Sequence, residues 1–73
     1  MNEELIQIGK QIRQRREDLD YTQNDVSEIS GVAERTIRSI ENGVNTNMSN
    51  VLKVMHVLGL TLSVHIKQIE YGD

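Results

Sequence analysis

No nucleophile–base pair, phosphate-binding loop or metal-ligand cluster stands out in this sequence, so its chemistry must lie in charge and hydrogen bonding. The richest stretch is ERTIRSIENG, Glu34 to Gly43. Wound as a helix, Ile37, Ile40 and Glu41 share one face, which leaves Glu34, Arg35, Arg38 and Ser39 on the other. A guanidinium near a helix start can fork onto O6 and N7 of a guanine. Arg35 is therefore the candidate base contact, and Arg38, a turn later, could reach a base or a phosphate. The Glu34 carboxylate can accept from the N4 amine of cytosine, or can repel phosphate and restrict register. Thr22 and Gln23 precede the neighbouring helical pattern and can donate to phosphate at a helix N-terminus. Asn45, with Thr46 and Asn47, follows in a loop that either touches phosphate or is a plain connection.

The elements that must hold these groups follow from periodicity. Leu5, Ile8, Ile12 and Leu19 form one stripe of a helix over about 3–19. Lys10, Arg13 and Gln14 fall off that stripe. Lys10 and Arg13 are either a solvated face or phosphate contacts. Arg16 lies on the apolar side and needs a partner there. Asp20-Tyr21 breaks the pattern, with Tyr21 expected to pack the turn. Thr22 reads as an N-cap with Asp25 three residues on, so a second helix runs over about 22–30 with Val26 and Ile29 inward. Ser30-Gly31 ends it, glycine being suited to a left-handed helix terminus. The third helix spans about 33–42 and ends at Gly43. It puts Glu41 on its apolar side, so Arg16 and Glu41 are expected to form an ion pair. A fourth helix over about 48–58 is expected to bury Val51, Leu52, Met55 and Leu58.

After Gly59 the period changes. Leu60, Leu62, Val64 and Ile66 alternate with Thr61, Ser63, His65 and Lys67, the pattern of a half-buried strand over about 60–67. A lone strand leaves an unpaired edge. Pairing with the same strand of a second copy would satisfy it, so these four apolar residues are the expected dimerisation set. His56 and His65 read as surface or edge residues.

Bulk properties set the frame. The 73 residues make one small domain of net charge −3, without cysteine or proline. A chain this short buries only about 60 % of its surface and usually needs a staple or a partner subunit. Without cysteine, disulfides and thiolate zinc sites are excluded, and two isolated histidines make no metal site; this leaves oligomerisation as the device and fits a reducing cytoplasm. No metal or cofactor is expected. No apolar run is long enough for a membrane, and MNEELIQIGK lacks the pattern of a signal peptide. Of the eight basic residues, four fall between Lys10 and Arg16 and two are Arg35 and Arg38. An acidic average can thus hide a basic face. The chain is too small to build a large pocket, which argues against an enzyme.

The run TQNDVSEISGVAERTIRSIENG resembles the helix-turn-helix of the Cro/phage-repressor (XRE) family in its T-Q opening, its G-V turn and its I-E-N-G close. The resemblance covers about Ile8 to Ile66. It implies an all-α, lambda repressor-like bundle of four to five helices, with the C-terminal strand pairing across a homodimer. It further implies a sequence-specific repressor of double-stranded DNA. In such proteins the residue matching Gln23 contacts phosphate or base, those matching Glu34, Arg35 and Ser39 read bases, and those matching Arg16 and Glu41 form a buried salt bridge. Ala33 departs from the usual Ser or Thr and can neither cap the helix nor reach phosphate. The tail VLKVMHVLGLTLSV is similar to the HipB-like antitoxins, which implies a HipA-type kinase toxin as a partner, with autoregulation.

Overall fold

A computed structural model describes residues 2–44 and 46–67. It has four helices, α1 (Glu3–Asp18), α2 (Gln23–Ser30), α3 (Glu34–Glu41) and α4 (Met48–Val57). Each boundary has a local cause. Asn2 caps α1 by accepting from the amides of Glu4 and Leu5. Asp20 then turns the chain with φ 59°, a left-handed value that Asp tolerates better than most residues. Thr22 and Asp25 form a reciprocal capping box on α2: Thr22 Oγ1 accepts from the Asp25 amide at 3.0 Å, and Asp25 Oδ2 from the Thr22 amide at 2.8 Å. Hydrogen bonding from the Thr22 amide, and then from the Thr22 side chain, holds the Asp25 carboxyl below its usual pKa. Gly31, at φ 78°, ends α2. α3 has no side-chain cap at Ala33. Asn47 caps α4, its side chain accepting from the Asn50 amide.

The core is aliphatic: Ile12, Val26, Val32, Ile37, Ile40, Val51, Val54, Met55 and Leu58, with Ile8, Tyr21, Val57 and Leu60 packed against it. Three expected core positions lie elsewhere. Leu19 sits beyond α1 and is 38 % exposed. The α1 stripe continues instead through Arg16, which is partly buried and held by hydrogen bonds. Ile29 is 58 % exposed because the inward stripe of α2 runs Gln23, Val26, Ser27, Ser30. On α4, Leu52 is 45 % exposed, and Val54 takes the interior place at 0 %. The buried set Val51, Val54, Met55 and Leu58 follows the i, i+3, i+4, i+7 rule that Leu52 breaks.

No strand occurs among the described residues. Leu60 packs on its own core, and Thr61 to Lys67 run exposed. The physical reason is that a strand exists only as part of a ladder, and one copy supplies no second segment. Leu62 lies at an apolar cleft with Leu5, Ile8, Val44, Met48 and Val51, whereas Val64 and Ile66 are 94 % and 98 % exposed.

Two features lock α1 against α3. At Gly9 a Cβ would press on the carbonyl oxygens of Ile40 and Glu41, the latter at 2.7 Å, so only glycine allows this approach. The second is an ion pair. Arg16 Nε donates to Glu41 Oε2 at 2.7 Å and its NH2 to Oε1 at 3.0 Å, with side chains only 11 % and 2 % exposed. The third nitrogen donates to the carbonyl of Tyr21 at 2.8 Å. Hydrogen bonding to Glu41 raises the Arg16 pKa, so the guanidinium keeps its proton. Arg15 adds a bond from Nε to the carbonyl of Leu58 at 2.9 Å, tying α1 to the end of α4.

Two outcomes are expected. Arg16→Ala strands the Glu41 charge, at a cost of about 3–5 kcal/mol, and so should unfold the domain; a normal melting curve for the variant would contradict this. Gly9→Ala should destabilise by roughly 1–3 kcal/mol through overpacking, although alanine favours helix by about 1 kcal/mol. Urea denaturation decides between the two terms, and a more stable variant would mean that α1 can shift at no cost.

Candidate nucleic-acid interface

Of the expected contact residues, Thr22 and Gln23 stand at the start of α2 and Glu34, Arg35, Arg38 and Ser39 on α3, the next helix after a short turn. The turn is Gly31-Val32-Ala33, with Val32 only 4 % exposed, so it is pinned to the core. α3 is eight residues long, too short to hold itself in water, and depends on its inward face for stability. That face is Ile37, Ile40 and Glu41 at 0 %, 4 % and 7 % exposure. At about 100° per residue, Arg35, Arg38 and Ser39 fall on the opposite arc, while Glu34, seven residues before Glu41, lies at the border of the inward face. Arg35 and Arg38 are exposed there, while Glu34 and Ser39 are partly covered.

The polar groups on this arc differ in how they are held. Among the described residues Arg35 has no hydrogen bond or ion pair, so its five donors face solvent. Arg38 lies beside Glu34, one turn back, with NH2 3.7 Å from Oε1 and both side chains about half exposed (56 % and 44 %). Such a pair is worth only about 0.3–0.5 kcal/mol. Ser39 contributes its carbonyl to the Val44 amide at 2.9 Å. The exposed C-cap Asn42 lies on the same arc, four residues after Arg38. It was not among the expected contacts, though the i+4 spacing from Arg38 was there to be read.

At the start of α2, the exposed Thr22 accepts the cap bond from the Asp25 amide. Gln23 is half-buried, and its Nε2 donates to Glu41 Oε1 at 3.2 Å. The first residue of α2 is therefore wired into the Arg16–Glu41 pair, and one amide proton remains for an anion outside. Asn45 lies outside the described residues. Thr46 lines the apolar cleft, and the Asn47 oxygen is spent on the α4 cap. On α1, Lys10 and Arg13 are exposed, with Arg13 3.5 Å from Glu17.

The described residues hold no group of three His, Cys, Asp or Glu that could bind a metal. No helix among them is long and apolar enough to cross a membrane. The apolar cleft beside Leu62 encloses only about 60 Å³.

The arrangement is two short helices joined by a glycine turn, the second presenting arginines outward. A helix-turn-helix family model matches residues 12–65, from the core residue Ile12 through the four-helix bundle into the tail. No curated protein matches the chain. With nearly three quarters of its length matched, and with this turn, this buried face and this exposed arc, the chain belongs to the Cro/C1-type helix-turn-helix family of DNA-binding domains.

Proposed function

We propose that the protein is a sequence-specific repressor that binds a palindromic operator as a dimer and regulates its own gene. The observation that carries this reading is the outward arc of α3, where Arg35 stands unpaired among the described residues on a helix anchored by Ile37, Ile40 and Glu41. In this reading α3 enters the major groove, Arg35 forks onto a guanine, and Arg38, Glu34 and Ser39 read or exclude neighbouring positions. Thr22 and Gln23 meet phosphate at the start of α2, and Asn45 is placed as a further contact on sequence grounds alone. Repression needs only occupancy of a promoter, so no cofactor takes part.

Dimerisation rests on the tail. Val64 and Ile66 are 94 % and 98 % exposed. They continue the alternation begun by Leu60, on its own core, and Leu62, at its own cleft. A two-fold pairing of residues 60–67 would join two backbone edges and cover these side chains with a second copy. Half-sites would then lie about one helical turn apart, roughly 34 Å.

A second reading is a HipB-like antitoxin that holds a kinase toxin. It draws on one observation: Ile29 and Leu52, 58 % and 45 % exposed, line a single open groove with Lys53 and His56. A toxin gene adjacent to this one, with co-purification of its product, would favour that role alongside DNA binding.

The test of the leading reading is fluorescence anisotropy on a duplex from upstream of the gene and on a scrambled duplex, across salt concentrations. Preferential binding that weakens steeply with salt is expected. Arg35→Ala should cost about 1–3 kcal/mol at one base position with the fold intact; an equal loss on every sequence would make Arg35 a phosphate contact. For the dimer, Val64→Asp with Ile66→Asp should give a monomer in sedimentation at concentrations where the parent is a dimer. A variant that stays dimeric would place the interface elsewhere.

A further inference from the structure

The reading face carries a carboxylate, which is an unusual group to bring against a polyanion. Glu34 is the first residue of α3 and stands partly exposed at the edge of the outward arc, one turn before Arg38. Among the described residues its one charged partner is Arg38, at 3.7 Å. We propose that Glu34 is a base selector gated by Arg38: it accepts a cytosine N4 amine at its own site, and in doing so releases Arg38 to a phosphate. This inference rests on the DNA-reading assignment above.

The argument is one of donors and charges. In the major groove guanine offers two acceptors, thymine an acceptor and a methyl, and adenine one acceptor beside one donor. Only cytosine offers a donor alone. A carboxylate moved out of water against an acceptor edge keeps its charge without a partner, which is costly. On a wrong base Glu34 therefore keeps Arg38 as its counter-ion, and Arg38 is lost to the phosphates. On cytosine the N4 amine replaces the guanidinium, and Arg38 gains a free anion. The exposed pair by itself biases Arg38 by only about twofold, so it does not lock the arginine away. The need of Glu34 for a donor supplies the discrimination, and Arg38 reports whether it has been met.

This makes a prediction that independent contacts would not. The number of phosphates neutralised depends on the base opposite Glu34, so the salt dependence of binding should depend on it too. The experiment begins with selection from a randomised duplex library by the full chain. It is followed by titrations of the selected site, and of the site with its cytosine pair exchanged, for the parent, Glu34→Ala and Arg38→Ala.

The parent should prefer cytosine at one position per half-site by roughly 5- to 150-fold. Its log K against log salt slope should be steeper on the selected site by about 0.9, one phosphate's worth. Glu34→Ala should lose the cytosine preference and show the steep slope on both sites. Arg38→Ala should show the shallow slope on both. Both side chains are about half exposed, so both variants should melt as the parent does. A cytosine preference that survives Glu34→Ala, or parent slopes equal on the two sites, overturns the gate while the DNA-binding role stands. A library that yields no consensus overturns the DNA-reading role itself.

Discussion

The interior contact between Arg16 and Glu41 determines how the remaining elements sit. Arg16 comes from α1 and Glu41 is the last residue of α3. Gln23, the first residue of α2, donates to the same carboxylate, and Tyr21, in the turn before α2, accepts from the same guanidinium. Three helices therefore meet at one pair of charges. A hydrophobic replacement could give equal stability, since desolvating two ions offsets most of their attraction. What an apolar pair lacks is direction. A two-pronged arginine–carboxylate contact has one good geometry, and here that geometry fixes the end of α3 against the beginning of α2. The same pair also reaches the surface, because Gln23 touches Glu41 on one side and the α2 N-terminus on the other.

The close approach at Gly9 works with this contact rather than beside it. The carbonyls that a Cβ at Gly9 would strike belong to Ile40 and Glu41, the same turn that carries the pair. Gly43, at φ 74°, leaves the helix with its Cα near Ile6, where a Cβ would come within 2.7 Å of the Ile6 Cα. The C-terminal end of α3 is thus held by a charge, a missing side chain and a left-handed turn. Its N-terminal end has no side-chain cap and relies on the buried Val32 just before it. The outward residues gain their placement from a core that they never touch.

How far the sequence foretells this structure varies from helix to helix. In α3 the isoleucines and the arginines separate cleanly, so spacing alone assigns Ile37 and Ile40 inward and the arginines outward. In α4 both faces are apolar: Val51, Leu52, Val54, Met55, Val57 and Leu58 satisfy more than one helical stripe. Only packing against α2 and α3 chooses Val54 over Leu52. Ile29 is misread for the related reason that α2 turns its polar Gln23, Ser27 and Ser30 toward the bundle. The demand of Arg16 for a partner is legible because a cation on an apolar stripe is anomalous. The bond from Gln23 to Glu41 is not, since a glutamine at a helix start is ordinary and its partner lies 18 residues away. Gly9 carries no local signal either: its constraint is imposed by another helix. The alternation after Gly59 reads as a strand, but residues 60–67 form none here, since no second segment lies beside them to make a ladder.

In the proposed reading, charge placement resolves the conflict between a net charge of −3 and a helix facing DNA. Non-specific affinity grows with the number of phosphates neutralised, and specificity with the contacts made to base edges. The accessible side of α3 holds two arginines against one glutamate; its other acid, Glu41, is buried against Arg16, and the remaining acids lie outside α3. Each added surface lysine would raise binding to every sequence alike. An acidic surround does the opposite, so that little beyond α3 and the start of α2 favours a polyanion. Selectivity then depends on those few side chains being held in fixed positions, which returns the demand to the buried pair: a reading helix of eight residues can discriminate only as sharply as its anchor keeps it from moving.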